Sequence, residues 1–243
     1  MSRPAGPLLA TRAKQQEHYD GILVHADLGV HELCEATLGQ YVPAPAKILD
    51  LGAGAGALSL RLHRGGYDMT AIDVDASEWQ APGIRFLEGD ATAPLSTLLG
   101  DARFDAVCCV EVIEHVENQA DLLRQAHDAC RPGGYLLVTT PNITSFLSRA
   151  IFLRTGQFHQ FADADLSYGH ISPITPWELS VLATRTGWNV RQISPAGSLA
   201  LLDFSGGFWG SLRMNLLRLL SRLIARRNVD GWCLLVVLQK PPE

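Results

Sequence analysis

Between positions 109 and 116 the chain reads C-V-E-V-I-E-H-V, so Glu111, Glu114 and His115 follow an E-x-x-E-H spacing just beyond a predicted strand. A helical turn there would place Glu111 with Glu114 or His115 on one side, because residues three or four apart share a helix face. A neutral imidazole in that position can take the proton from an acceptor hydroxyl as its oxygen becomes the nucleophile. His170, in Y-G-H-I-S-P, is the second candidate base. His115, Glu111 and His170 are therefore the candidate catalytic residues. The purely structural reading of the same side chains makes Glu114 a carboxylate near a helix N-terminus and His115 a hydrogen-bond donor.

The elements that must position this chemistry begin upstream. Residues 47–75, KILDLGAGAGALSLRLHRGGYDMTAIDVD, read as a buried strand, a glycine turn, a helix and a second strand ending on an acid. Gly52, Gly54 and Gly56 let the backbone turn sharply and approach a ligand where a Cβ would collide, and Gly65-Gly66 stops the helix. The second strand delivers Asp73 about twenty residues after the first glycine, where a carboxylate can accept hydrogen bonds from both hydroxyls of a ribose. The loop thus points to an adenosine-containing ligand. Gly52, Gly54 and Ala57 also satisfy the loose dinucleotide pattern, so NAD stays open on the loop alone. Asp50, two residues before the first glycine, and Asp90, at the end of the next predicted strand, tip the balance away from it. Their structural readings are a helix-capping acid and a turn residue.

Five ordered motifs, D-L-G-A-G-A-G, the acid Asp73, G-D-A at 89–91, F-D-A-V at 104–107 and R-P-G-G-Y at 131–135, resemble those of class I S-adenosylmethionine (SAM)-dependent methyltransferases. The resemblance implies SAM as cofactor. It puts Asp50 near the methionine amino end, passes Gly52, Ala53 and Gly54 beneath it, and sets Asp73 on the ribose. Asp90, with Ala91 beside it, falls on the adenine amino group. A sulfonium beside carboxylates needs no phosphate cradle, in keeping with the lack of a G-K-[ST] run. E-x-x-E-H, with T-P-N after the fifth strand and a later histidine, is similar to two branches of this superfamily. One is the O-methyltransferases of ubiquinone biosynthesis. The other is the small-RNA 3′-terminal 2′-O-methyltransferases, whose matching residues hold a divalent ion. The chain departs from the RNA branch in its acidity, in lacking the aromatic-rich block beside the second histidine and in having no appended RNA-binding domain, so nucleic acid is not the expected partner. Whether Glu111, Glu114, His115 and His170 bind a metal is left open by the sequence.

Composition fits one catalytic domain with decorations. The 243 residues are 47% hydrophobic and 19% charged, enough to bury a sheet between two helix layers without disulfides. The net charge of −5 and pI near 5.9 speak against a broad nucleic-acid footprint. Five cysteines are scattered without a CxxC pair, and Cys108-Cys109 inside a predicted strand read as core in a reducing cytosol. With no signal peptide and no apolar run of spanning length, the chain is expected to be soluble and cytoplasmic.

Residues 1–45 read as an extension, mobile over its first 13 residues, with a cap helix near 28–41 covering the SAM mouth. Residues 46–243 read as the SAM-binding domain. Strands are predicted near 47–51, 69–73, 84–88, 104–110, 134–140, 189–193 and 232–239, with helices near 55–64, 94–100, 118–130, 143–154 and 176–186. That alternation predicts an α/β fold, a Rossmann-like, seven-stranded, mostly parallel sheet ordered 3-2-1-4-5-7-6, its last strand antiparallel by family analogy. An irregular acceptor loop at 155–175 is rich in His, Asp, Phe and Tyr, and Tyr168 and Tyr19 are candidates to line an acceptor pocket. A helical insertion at 198–230 carries Leu212, Leu216, Leu219, Leu220 and Leu223 on one face and Arg218, Arg222 and Arg226 on another. Its helix at 208–227 packs on the sheet or at a homodimer seam, or rests on anionic lipid as a peripheral membrane contact.

The function so read is SAM-dependent O-methylation of a small-molecule or lipid-linked acceptor. The alternatives are metal-assisted methylation of a terminal ribose or glycan hydroxyl and a non-catalytic SAM-binding subunit, with an NAD-dependent dehydrogenase more distant.

Overall fold

The computed structural model describes residues 17–197 and 231–242. The first 16 residues and the insertion helix at 208–227 lie outside the described residues. A hairpin of β1 (His18–Tyr19) and β2 (Ile22–Leu23) leads to α1 (Val30–Tyr41). There follow β3 (Lys47–Leu51), α2 (Ala57–Arg64), β4 (Asp68–Asp73), β5 (Arg85–Glu88), α3 (Ser96–Leu99), β6 (Phe104–Val110) and α4 (Gln119–Ala129). The chain continues through β7 (Cys130–Pro141), α5 (Phe146–Thr155), a 3-10 turn (Asp163–Tyr168), α6 (Pro176–Arg185), β8 (Asn189–Ala196) and β9 (Cys233–Gln239).

The main sheet is ordered β5-β4-β3-β6-β7-β9-β8. Counted within the sheet, this is the expected 3-2-1-4-5-7-6. Strands β3 to β7 pair in parallel, and β9 runs antiparallel between β7 and β8. Alternation along each strand divides the core between the two faces. Ile48, Cys108 and Leu137 pack with Leu38 of α1 and Leu62 of α2. Leu49, Cys109 and Leu136 pack on the other side with Leu122 of α4 and Leu179 of α6. Cys108 and Cys109 are fully buried, the packing role their place in a strand predicts. The chain leaves β3 towards β4 on one side, while β6 lies on the other. That reversal opens a crevice at the carboxyl ends of the central strands, where α/β sheets bind ligands.

Three differences from the sequence reading have local causes. The β1–β2 hairpin was not expected, because two-residue strands show no periodicity. Its turn is an Asp20-Gly21 pair with φ of 52° and 84°, the strongest short hairpin signal. Strand β7 starts at Cys130 rather than 134 because Phe104 pairs with Cys130 before the register shifts to Ala106–Tyr135. Gly134 permits that shift, since a Cβ there would lie 2.6 Å from Cys130 Sγ and 2.8 Å from the Asp105 carbonyl. The acceptor loop also contains the 3-10 turn, which brings Tyr168 and His170 to the crevice.

Candidate active site

One cavity of about 1680 Å³ occupies the crevice. A single small ligand fills roughly 300–1,000 Å³, so the space suits two bound side by side. Its floor is the glycine loop. Gly52 has φ 73°, and a Cβ there would sit 2.4 Å from Val112 Cγ2, so only glycine lets β3 pass beneath the loop that follows β6. Asp73 holds the loop: its Oδ2 accepts from the Gly54 amide at 2.7 Å and its Oδ1 from the Asp75 amide at 3.0 Å. Asp90 is an Asx turn in part, with Oδ1 accepting from the Thr92 amide at 2.8 Å and its hydroxyl at 2.7 Å, yet both it and Ala91 line the cavity. Asp50 is buried against Ser59, whose hydroxyl donates to Oδ2 at 2.6 Å. Burial raises its pKa to about 6 against the opposing pull of that hydrogen bond. A cationic ligand group beside it returns the carboxyl to its charged form. The donor set therefore fits SAM: backbone laid open by glycine and carboxylates for a ribose and a cation. Asp50, Gly52, Ala53, Gly54, Asp73, Asp90 and Ala91 all line this one space.

The acceptor side begins where β6 ends. Glu111 has φ 57°, a strained conformation for a side-chain-bearing residue. The E-x-x-E-H run then forms a tight turn closed by the His115 amide on the Val112 carbonyl at 2.9 Å, ahead of α4. That turn separates Glu111 from Glu114 and His115. Glu111 Oε1 accepts from the Thr139 hydroxyl at 2.8 Å and Oε2 from Cys233 Sγ at 3.3 Å. Glu114 turns inward and is fully buried, and its carbonyl accepts from the Ile171 and Ser172 amides at 3.1 and 2.9 Å. Gln119 Nε2 adds bonds to the Ile113 and Ser172 carbonyls. This clasp joins the loop after β6 to the loop after β7. As a result His115 and His170 stand edge to face, with ring centroids 4.9 Å apart.

The protonation of the pair follows from its neighbours. His170 Nδ1 lies 2.8 Å from the Gln160 carbonyl, which can only accept, so Nδ1 carries the hydrogen. Burial and the nearby His170 lower the pKa of His115, outweighing contacts with the Gly169 and Tyr168 backbone. Ligand atoms of Glu114, His115 and His170 all lie within 4.8 Å of one another, a grouping able to hold a metal ion. Glu111, bound to Thr139 and Cys233, is outside that cluster.

Sequence reasoning missed several residues. His25 and Asp27, from the segment between β2 and α1, and His31, in the first turn of α1, line the cavity. His31 is 7% exposed, and its Nδ1 has no hydrogen-bond partner among the described residues. Burial, then Arg61 and His25, push its pKa down to about 3, so it is neutral at physiological pH. A lone histidine in the first turn of a helix carries no sequence signal of this kind. Tyr168 lines the cavity as expected, whereas Tyr19 lies under the Arg61 guanidinium, 4.3 Å from it, and is a packing residue.

A family model described as a methyltransferase domain matches residues 29–193. The chain is 29% identical over 106 residues to a ubiquinone biosynthesis O-methyltransferase of Pseudomonas aeruginosa (strain UCBPP-PA14). That match covers 41% of this chain and 46% of the relative, so the chain spans about half the length of the curated relatives it matches. A SAM-dependent methyltransferase from Archaeoglobus fulgidus superposes with a TM-score of 0.58 at 19% identity, over 86% of this chain and 94% of that one. The Burkholderia thailandensis 1,6-didemethyltoxoflavin-N1-methyltransferase, solved with 1,6-didemethyltoxoflavin and S-adenosylhomocysteine, gives 0.56 at 17% identity, over 87% and 78% of the two chains. Identities this low establish likeness of fold alone. With the family model spanning more than half of its residues and the seven strands in the expected order, the chain belongs to the methyltransferase-domain family and carries its class I SAM-dependent architecture.

Proposed function

We propose that the chain transfers a methyl group from SAM to a hydroxyl of a small-molecule or lipid-linked acceptor. The observation that carries this reading is the apposition of His115 and His170 in the same cavity as the glycine loop. When bound, SAM supplies a methyl already activated by its sulfonium. The chain's work is to hold the acceptor oxygen in line and remove its proton. His115, kept neutral by its lowered pKa, is the preferred base, and His170, its Nδ1 turned to the Gln160 carbonyl, is the reserve. No helix among the described residues is long and apolar enough to cross a membrane.

On the donor side, Asp73 is assigned to the ribose and Asp50 to the methionine amino end. His31, with the uncapped N-terminus of α1 at Gly29, is assigned to the methionine carboxylate, since first-turn amides and an imidazole N–H both favour an anion. Two binding experiments separate these roles. Asp73→Ala weakens SAM binding by about 1–3 kcal/mol in calorimetry, while Asp73→Asn, which keeps an acceptor for the Gly54 amide, loses less. Equal affinity of Asp73→Ala and wild type would contradict the assignment. His31→Ala weakens S-adenosylhomocysteine roughly tenfold but leaves 5′-methylthioadenosine, which lacks the amino-acid end, unchanged. An equal loss for both ligands would make His31 a packing residue only.

A second reading is favoured by the cluster of Glu114, His115 and His170, which fits a divalent cation. Such an ion would polarise a hydroxyl or diol of the acceptor, such as a terminal ribose or glycan. Glu114, His115 and His170 would hold it, and the gathering of these groups also weighs against a non-catalytic SAM-binding subunit.

A further inference from the structure

The histidine pair stands on two peptide groups that are bonded to each other. The Ile171 amide belongs to the peptide unit that follows His170, and the Glu114 carbonyl to the unit that precedes His115. That amide donates to that carbonyl at 3.1 Å, and the Ser172 amide donates to the same oxygen at 2.9 Å. The His115 ring also packs on the segment that carries its partner, since a Cβ on Gly169 would lie 3.1 Å from His115 Nδ1. The spacing of the two imidazoles therefore depends on how firmly the loop after β7 is held to the turn after β6. Two amides on one carbonyl make a small junction, and pairings of this size open locally unless a more stable element supports them.

Gln119 supplies that support. It is the first residue of α4, next to the Asn118 N-cap, so its backbone belongs to a helix while its side chain reaches back to both loops. Its Nε2 lies 3.2 Å from the Ile113 carbonyl and 2.9 Å from the Ser172 carbonyl. Both partners can only accept, so the carboxamide turns its NH2 group to them and spends one hydrogen on each loop. Ile113 is fully buried in the same core as Leu122 and Leu123 of α4, which fixes the turn after β6 to the helix. The loop after β7 is then the part that Gln119 holds in place. Resting on the methyltransferase reading above, we infer that Gln119 is a positioning residue, whose carboxamide sets the spacing of His115 and His170 by stapling their two loops. A reacting group displaced by about 1 Å costs about a hundredfold in rate, so slack at this junction is expected to appear in turnover.

The test compares the full chain with Gln119→Met, which keeps the length of the side chain and removes both donors. In the unmodified chain both Gln119 carboxamide hydrogens exchange slowly with solvent, and the His115 and His170 ring hydrogens give a cross-relaxation peak, as centroids 4.9 Å apart allow. Gln119→Met loses that peak and transfers label from trideuteromethyl-SAM into a small-molecule and lipid extract roughly a hundredfold more slowly, with S-adenosylhomocysteine affinity kept within about twofold. Gln119→Lys, whose ammonium again offers hydrogens to both carbonyls, recovers the peak and most of the rate. A role in stability alone would leave the peak in place, lower S-adenosylhomocysteine affinity together with the rate, or make the Met and Lys variants alike, and any of these overturns the inference. Freely exchanging carboxamide hydrogens in the unmodified chain overturn it without a variant. Loss of the peak in Gln119→Met, with no transfer of label to any hydroxyl by the unmodified chain, would contradict the proposed function and leave the positioning role standing. Transfer to a hydroxyl at equal rates by both chains would do the reverse.

Discussion

His115→Ala lowers turnover by roughly two to four orders of magnitude while leaving SAM affinity close to that of the unmodified chain, as expected when a base is lost and the donor site is kept. The split follows from where the residue lies. His115 closes the turn at the carboxyl end of β6 and meets His170, whereas the groups assigned to the donor come from α1, β3, β4 and the loops after β3 and β5. The pH dependence has a definite sign. Since burial and His170 lower the pKa of His115 below 6.5, the imidazole is in its proton-accepting form at neutral pH. Activity therefore holds near pH 7 and falls as pH drops through that lowered value. His115→Ala removes that acid limb. A variant that lost SAM affinity in proportion to turnover would place His115 in the donor site instead.

The second large effect belongs to the metal-assisted reading. Excess EDTA abolishes activity, Mg²⁺ or Mn²⁺ restores it, and Glu114→Gln reproduces the chelated state, because one carboxylate and two imidazoles suit a divalent ion that keeps positions open for substrate oxygens. Glu111→Gln separates the two acids. Glu111 is bonded to Thr139 and Cys233, so its loss is expected to act on the loop after β6 rather than on metal affinity. Metal affinity measured by calorimetry on the two variants distinguishes them without relying on turnover. Full activity in excess EDTA eliminates the ion and returns His115 to the role of unassisted base.

The donor half was legible in the sequence because its chemistry is carried by backbone and local order. A glycine at Gly52 and an acid at the end of β4 mean the same thing wherever they occur in a strand-turn-helix-strand run, and strand alternation set the sheet around them. On the acceptor side, spacing named His115 and His170 and brought them together. It misjudged the local geometry, since a helical turn was expected and the chain makes a tight turn with Glu111 in the left-handed region. No periodicity encodes such a turn. His31 was invisible for a related reason: its place in the cavity lining depends on segments distant in the chain. Asp20-Gly21 was the one overlooked signal that a local rule could have read.

The most direct test of methyl transfer to oxygen is incubation of the chain with trideuteromethyl-SAM and a fractionated small-molecule and lipid extract, followed by mass spectrometry. The account predicts S-adenosylhomocysteine in equal amount to a product carrying the trideuteromethyl group on a former hydroxyl, and its near-disappearance with His115→Ala. Label found on nitrogen or carbon, or S-adenosylhomocysteine formed no faster than with His115→Ala, would contradict it.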